Sequence, residues 1–325
     1  MTQAREDTAP ALTGPQAGQA GARPSRRRRR FSVLTRRDKI LLGLMVGFPL
    51  FLDLALIWGP ALVSIGLSLT NWRNTQPLTW DNFVGLGNFE RLASAYPPFW
   101  EGLKHNVLWF LVLMLIATPI GMFFAVLLDR DIKGSRFYQS IFYLPVVLSL
   151  AVIGIIWQLQ YSADNGFIDA VLGFFNLPKP DWFGDPNINL WAALVAASWR
   201  HVGYIMVLYL AGLKSVDPSL REAASIDGAN GRQTFQHVVF WVMMPINVVI
   251  VVITTIESLR AFDIVYIINQ GKNGLELLSV LITNNSISEA NLTGFGAAIA
   301  VVLLVISLVP IVIFLSWMMR EDTSA

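Results

Sequence analysis

The chain has 325 residues, of which 54% are hydrophobic and only 14% are charged, and its formal net charge is +2. Soluble globular domains average about 25% charged residues, so this composition excludes an ordinary soluble domain and indicates a membrane protein. The chain has no cysteine, which excludes disulfides, thiolate nucleophiles and cysteine metal sites.

The first 38 residues are predicted to form a disordered, basic cytoplasmic tail. The first 30 positions hold almost no large apolar side chains, so they cannot bury enough surface to fold alone. The arginine-rich run at 26–39 borders the first apolar stretch, and the positive-inside rule places such a run in the cytoplasm. A nucleic-acid patch needs a folded module to present it, and an export signal needs a cleavage site, so neither is expected here.

Six continuous apolar stretches approach or exceed the ~20 residues that a helix needs to cross a bilayer. They lie at 40–69, 107–128, 137–159, 190–213, 246–268 and 295–319. Because apolar and polar residues do not alternate in them, helices rather than a barrel are predicted. The predicted fold class is therefore all-α and polytopic, with six transmembrane helices at 39–320 and a cytoplasmic tail at 321–325. Pro49 and Pro60 predict that the first span tilts or kinks.

The distribution of basic residues predicts that both termini lie in the cytoplasm. Of the 24 lysines and arginines, only five lie in the predicted outer loops: Arg73, Arg91, Lys104, Lys179 and Lys272. The two longer outer loops, at 70–106 and 160–189, are rich in Trp and Pro. Two interpretations stay open for them, an interfacial aromatic belt and a landing surface for an external partner.

The cytoplasmic segment at 214–245 carries signals for two short helices. Asp217 followed by Pro218 is typical of a helix start, and Gly228 is typical of a helix stop. Asn230 and Gln233 have the spacing of a capping box, which predicts a second helix that runs towards the fifth span.

The first of these helices has the composition of a docking element. Ala223 and Ala224 predict a smooth patch that another backbone can approach, and Leu220 and Ile226 offer apolar contacts. The segment has too few aromatic and basic residues for a helix that lies on lipid. We therefore expect the helix to dock into a groove on a second protein.

At this point the sequence resembles a known family. Glu222, Ala223 and Ala224, with Gly228 after three further residues, match the EAA loop of binding-protein-dependent ABC transporter permeases, and EAASIDGA (222–229) is similar to the carbohydrate-importing subgroup. Other segments similar to that subgroup follow the same order: FVGLGNF (83–89), FYLPVV (142–147) with IWQ (156–158), DNGFIDAVL (164–172), WFGDPN (182–187), LYLAGLKSV (208–216) and AFDIVYI (261–267).

The resemblance implies a type I ABC importer permease fold in the plasma (inner) membrane of a prokaryote. It also implies that the short helix is a coupling helix in a cleft of a cytoplasmic ATPase. The residues assigned to this contact are Leu220, Glu222, Ala223, Ala224, Asp227 and Gly228. The sequence departs from the family at Phe240 and Trp241, where Leu-Pro is common, so we expect a straighter second helix. It departs again at 269–274, where glycine-rich sequences are common.

The chain lacks a G-x-x-x-x-G-K-[ST] motif, so energy must come from another subunit. The resemblance implies two ATPase subunits that bind ATP and Mg, a second permease, and an extracytoplasmic solute-binding protein that delivers a sugar. On this chain itself we expect no cofactor, no metal site and no catalytic residue.

A polar face on the fifth span predicts a substrate path, and the similarity to a maltose importer extends it to the fourth span. The candidate residues are His201, Tyr204, Thr254, Glu257, Ser258 and Ala261. The alternative is helix packing, with ion pairs among Glu257, Arg260 and Asp263 and hydrogen bonds from Arg200 and His201 across helices.

Two function classes remain. The leading one is a non-catalytic permease of an ATP-driven importer. The other is an ion-coupled secondary transporter that uses Asp53, Glu257, Arg260 or His201 as a relay. An enzyme is a distant third, because no paired-carboxylate, Ser/His/Asp or H-E-x-x-H arrangement is present.

Overall fold

The computed structural model describes residues 35–130, 132–162, 166–288 and 291–322, and these are mostly helical. Of the two predicted tails, residues 1–34 and 323–325 lie outside the described residues. The chain divides into a unit that ends at Ala55 and a second unit, Leu56–Ala325. In the first unit, α1 (Arg36–Asp53) begins with a capping box between Thr35 and Asp38.

The second unit contains fifteen helices in its described part. In chain order they are α2 (Gly59–Ser68), α3 (Gly87–Ser94), α4 (Pro97–Val112), α5 (Thr118–Asp129), α6 (Ser135–Val147), α7 (Leu150–Gln160), α8 (Phe167–Phe174), α9 (Asn189–Ser215), α10 (Pro218–Ile226), α11 (Gly231–Thr234), α12 (Phe240–Val242), α13 (Met244–Leu259), α14 (Asp263–Asn269), α15 (Leu278–Thr283) and α16 (Thr293–Asp322). Wider π-helical turns lie at Leu54–Trp58, Leu113–Ala117, Phe235–Val239 and Asn284–Ser288, and a 3-10 turn at Trp80–Asn82.

The all-α, polytopic prediction is confirmed. Four helical stretches are long and apolar enough to span a membrane: Arg37–Ser68, Pro97–Asp129, Asn189–Ser215 and Thr293–Phe314. Two bent pairs raise the number to six if each pair is one span: Ser135–Val147 with Leu150–Gln160, and Gly231–Val242 with Met244–Asn269. Each of the six predicted stretches overlaps one of these elements.

The third predicted stretch is not one straight helix, because α6 and α7 meet at 101°. Pro145 lies in the last turn of α6 and has no backbone N–H, and Leu148 is extended. Ser149 then starts a new helix, since its hydroxyl accepts the N–H of Val152 at 3.3 Å. A proline followed by an N-cap residue therefore divides this stretch into two helices.

The expectation of a straighter path into the fifth span is wrong. The helices on either side of Met243 meet at 74°. Pro245 lies in the first turn of α13, so it supplies the break although Trp241 occupies the position where proline is common. The side-chain amide of Asn247 donates to the carbonyl of Phe240, the first residue of α12, at 3.0 Å, and so gives a carbonyl beside the bend a partner.

The core of the second unit is built around α9, more than half of whose 27 residues are buried. Helices α5, α6, α13 and α14 pack against it. The contact with α5 is close at Gly121, where a Cβ atom would lie 2.9 Å from both the carbonyl oxygen of Val202 and the Cβ of Ile205. Glycine is therefore required at this crossing for the two helices to approach each other.

We expect Gly121→Ala to destabilise the fold by about 1–3 kcal/mol, because the added methyl group forces α5 away from α9. The measurement is the thermal melting temperature of the purified protein in detergent. Gly66→Ala is the matched control, since Gly66 is also helical but a Cβ there meets nothing within 4 Å. An equal melting temperature for the two variants would contradict the assignment of Gly121 as a packing glycine.

Candidate functional site

The polar face predicted on the fifth span leads to a cluster of ion pairs around Glu257 on α13. One carboxylate oxygen of Glu257 lies 3.2 Å from Nη1 of Arg200, and the other lies 3.2 Å from Nδ1 of His201. Both partners are on α9, and the Glu257 side chain is 30% exposed. The carboxylate therefore joins α13 to α9 by two hydrogen bonds.

His201 is the most enclosed member of this cluster, with 2% of its side chain exposed. Its Nε2 lies 3.3 Å from the hydroxyl of Thr118 and 3.3 Å from the hydroxyl of Thr254. Because a carboxylate only accepts hydrogen bonds, the proton of a neutral His201 ring belongs on Nδ1, facing Glu257. Nε2 then accepts from a threonine hydroxyl, and the ring connects α5, α9 and α13.

A cavity of about 250 Å³ opens beside the cluster. Its charged lining consists of Arg200 and Arg260 with Glu257 and Asp263, and His201 is the further titratable group. The opposite charges balance. The lining also includes Trp109, Ala261 and Phe262. Such a site combines hydrogen-bonding groups with flat aromatic surface and has no excess of either charge.

The structure places the six candidate path residues in different positions. His201, Glu257 and Ala261 line the cavity. Thr254 is fully buried behind His201, and Ser258 is fully buried with its hydroxyl donating to the carbonyl of Thr255 at 2.9 Å. Tyr204 is half-buried, and the Arg200 guanidinium lies 5.9 Å from its ring centre.

The expected ion pairing of Glu257 with Arg260 is wrong, because Glu257 pairs across helices with Arg200. Helix α13 ends at Leu259, so Asp263 lies on the next helix and the expected helical spacing does not apply. Among the described residues, no ion pair involves Arg260. Sequence reasoning left Arg200 out of the path, although a charged residue in a membrane helix is itself a signal that a partner exists.

The start of α10 has the predicted form. Asp217 caps the helix by accepting the backbone N–H of Ser219 at 2.9 Å, and Pro218 is its first residue. This hydrogen bond from the Ser219 backbone favours the ionised carboxylate and lowers the pKa of Asp217 from its usual value. The predicted N-cap is therefore confirmed.

The end of α10 is also as predicted. Gly228 has φ +83°, in the left-handed region that favours glycine. The N–H of Gly228 donates to the carbonyl of Ser225 at 3.1 Å, and that of Ala229 donates to the carbonyl of Ala224 at 2.9 Å. These two bonds form a Schellman motif. The Asn230–Gln233 capping box then starts α11, with bonds of 2.8 and 3.0 Å.

The two alanines of α10 do not share one exposed patch. Ala224 is buried within this chain, whereas Ala223 and Glu222 are exposed. Ile226 is 86% exposed and Leu220 is 39% exposed, so both predicted apolar contacts face outward. A shallow groove runs along this surface, lined in part by Leu220, Ala223, Ala224, Asp227, Gly228 and His237.

Arg221 was not singled out by the sequence, yet it connects α10 to two other helices. Its Nη1 lies 2.8 Å from a carboxylate oxygen of Asp129, the last residue of α5. Its Nη2 donates to the carbonyl of Leu213, in the last turn of α9, at 3.0 Å. No sequence signal linked Arg221 with Asp129, because 92 residues separate them.

Known proteins are similar to this chain in sequence and in fold. Residues 117–320 match the family described as "Binding-protein-dependent transport system inner membrane component". The chain is 30% identical over 287 residues to a probable ABC transporter permease of Pyrococcus horikoshii, which covers 87% of this chain and 93% of that protein. It is 28% identical to the trehalose/maltose transport system permease MalF of Thermococcus litoralis, over 72% of this chain and 79% of that one.

A solved structure has the same fold. It is a bacterial alginate ABC transporter in complex with an alginate pentasaccharide-bound periplasmic protein. The TM-score is 0.73 at 20% sequence identity, and the match covers 86% of this chain and 93% of that chain.

We expect Glu257→Gln to destabilise the protein by roughly 1–3 kcal/mol, because it removes charge-assisted hydrogen bonds from two partners that stay largely buried. The melting temperature in detergent reports the loss. Glu101→Gln is the control, since Glu101 forms an exposed pair with Lys104 at 2.9 Å and such pairs add little stability. If the two variants melted alike, Glu257 would not be a link between α9 and α13.

Proposed function

Because the chain belongs to the family of binding-protein-dependent transport system inner-membrane components, as an ABC transporter permease of the carbohydrate-importing group, we propose that it forms half of the pathway of an ATP-driven sugar importer. Members of this family are transport components rather than enzymes. In this proposal α10 is the coupling helix, and it receives the motion of a partner ATPase.

The observation that carries the proposal is the exposed face of α10. The helix is held in shape at both ends by its own caps, so it is a preformed element rather than a flexible loop. Ile226 and Leu220 leave apolar surface uncovered on it. Burying one such side chain in a partner stabilises a complex by about 1.5–3 kcal/mol. This surface suits a groove on a cytoplasmic protein.

The proposed partners follow from the family. Two ATPase subunits bind ATP and Mg, and one of these subunits docks on α10. A second permease completes the pathway. ATP can drive transport only if its binding stabilises one conformation of the permease pair over another. A solute-binding protein delivers substrate from outside, as the binding-protein complex of the alginate transporter supports. The lysine and arginine distribution supports cytoplasmic termini and a cytoplasmic α10.

The cavity beside Glu257 is the proposed sugar path of this subunit. Its balanced charges suit a neutral, hydroxyl-rich ligand, and Phe262 offers a flat surface to the apolar face of a sugar ring. His201, Glu257 and Ala261 would contact the ligand with Arg200, whereas Thr254 and Ser258 would support them from behind. The relatedness to a trehalose/maltose permease favours a sugar of this class.

The proposal is tested by transport in proteoliposomes that contain this chain, its second permease, its ATPase and its solute-binding protein. With a panel of labelled sugars that includes trehalose and maltose, we expect uptake only with ATP on the ATPase side. Uptake driven by a proton or sodium gradient without the ATPase would instead support the ion-coupled alternative through Asp53, Glu257 or Arg260.

We expect Gly228→Val to lower ATP-driven uptake by roughly 5- to 30-fold, because a left-handed conformation costs a residue with a side chain about 1–2 kcal/mol and the end of α10 must rearrange. Uptake and co-purification of the ATPase are measured together. Gly228→Asn should lower uptake less, since asparagine tolerates this conformation. Gly231→Ala is the control, as a Cβ there has open space. Unchanged uptake and ATPase retention in Gly228→Val would contradict the coupling role of α10.

A further inference from the structure

We propose that Arg221 is the positioning residue that transmits the motion of α10 into the membrane, because its guanidinium ties α10 to the adjoining ends of α5 and α9. This inference rests on the proposed coupling role of α10. It adds the contact through which that helix moves the polar cluster around Glu257.

One hydrogen bond of Arg221 reaches a helix distant in sequence, and the other reaches the helix directly before α10. Helix α10 packs against α11 and Phe235–Val239, which follow it directly in the chain. Arg221 instead bonds to Asp129 at the end of α5, at 2.8 Å, and to the carbonyl of Leu213 on α9, at 3.0 Å. A planar guanidinium can donate to both acceptors at once, which the single ammonium of lysine does less well.

The electrostatics of this contact favour a cation. The last carbonyls of a helix have no partner within the helix and carry partial negative charge. The carboxylate of Asp129 ends α5, and Leu213 lies in the last turn of α9, so Arg221 meets a full and a partial negative charge. The Asp129 side chain is only 12% exposed. Removing the guanidinium would leave this carboxylate largely buried and without its ion-pair partner.

The two helices held by Arg221 are closely packed against each other. At Gly121 the backbone of α5 lies against Val202 and Ile205 of α9 so closely that a Cβ would come within 2.9 Å of α9 atoms. A displacement of either helix is therefore passed directly to the other, because packed interiors do not deform continuously.

The same two helices hold the polar cluster. Thr118 begins α5, His201 lies on α9, and the two side chains are 3.3 Å apart. Asp129 lies eleven positions after Thr118 on this helix, which corresponds to a rise of about 16 Å. Thus α5 and α9 form two rods that connect the Arg221 contact to the groups around Glu257. The two helices therefore form a continuous structural route between these contacts, and a measured coupling between its two ends is the test of its function.

The experiment uses the absence of cysteine from this chain. Ile256→Cys places one thiol in the cavity lining. The chain is assembled with its second permease and ATPase, both cysteine-free. The rate of modification by a small methanethiosulfonate reagent is then measured with ADP and with ATP plus orthovanadate. With Arg221 present, we expect nucleotide to change this rate by about fivefold or more.

Arg221→Gln should reduce the nucleotide effect to less than about twofold, while the ATPase still co-purifies and hydrolyses ATP. Asp129→Asn removes the same ion pair from the other side and should act alike, so the test does not depend on the folding of one variant. Arg221→Lys should retain an intermediate response. The exchanged pair, Arg221→Asp with Asp129→Arg, should recover part of the nucleotide effect on the modification rate. Arg136→Gln removes an exposed arginine from α6, and its modification rate should change with nucleotide as much as that of the Ile256→Cys chain with Arg221 intact.

A full nucleotide response in Arg221→Gln and Asp129→Asn would overturn the inference and leave the proposed function intact. Loss of the ATPase from Arg221→Gln would also overturn it, because Arg221 would then be a docking residue. If the Ile256→Cys chain with Arg221 intact neither retained the ATPase nor changed its modification rate with nucleotide, the proposed coupling role of α10 would fail. This inference would then fail with it.

Discussion

Because Gly121 has no side chain, α5 lies against α9 at a distance that no Cβ atom could occupy. This crossing positions α9, and the contacts of α9 with its other neighbours depend on that position. Helix α9 is buried against α5 on one side and contacts α6, α13 and α14 on others. The position of α9 in turn determines where Arg200 and His201 meet Glu257. In a bilayer, where lipid tails are as apolar as leucine, such close backbone packing supplies much of the attraction between helices.

Prolines determine where the helices depart from straight rods. Two wide turns, Leu54–Trp58 and Leu113–Ala117, directly precede helices with a proline in the first turn, Pro60 and Pro119. A proline lacks an N–H and its ring displaces the carbonyl four residues earlier, which a wider turn accommodates without breaking the helix.

At two other places, after α6 and before α13, the helix breaks completely. After the bend that ends α6, α7 packs against α14, where Gly154 admits Ile267. Leu150 of α7 and Val265 of α14 then line the cavity beside Glu257. Backbone groups at such breaks must find partners inside the protein, as the carbonyl of Phe240 does in Asn247.

The sequence by itself determined the membrane class, the six apolar stretches and the shape of the α10 segment. Asp217, Gly228 and the Asn230–Gln233 pair act on backbone groups no more than five residues away, so their effect is readable from local spacing. Only the tertiary structure decided the angles of the two bends and the partners of the charged groups. Glu257 pairs with Arg200 across a sequence separation of 57 residues, and Arg221 pairs with Asp129 across 92. These side chains meet because the helices that carry them pack together, which sequence spacing does not reveal.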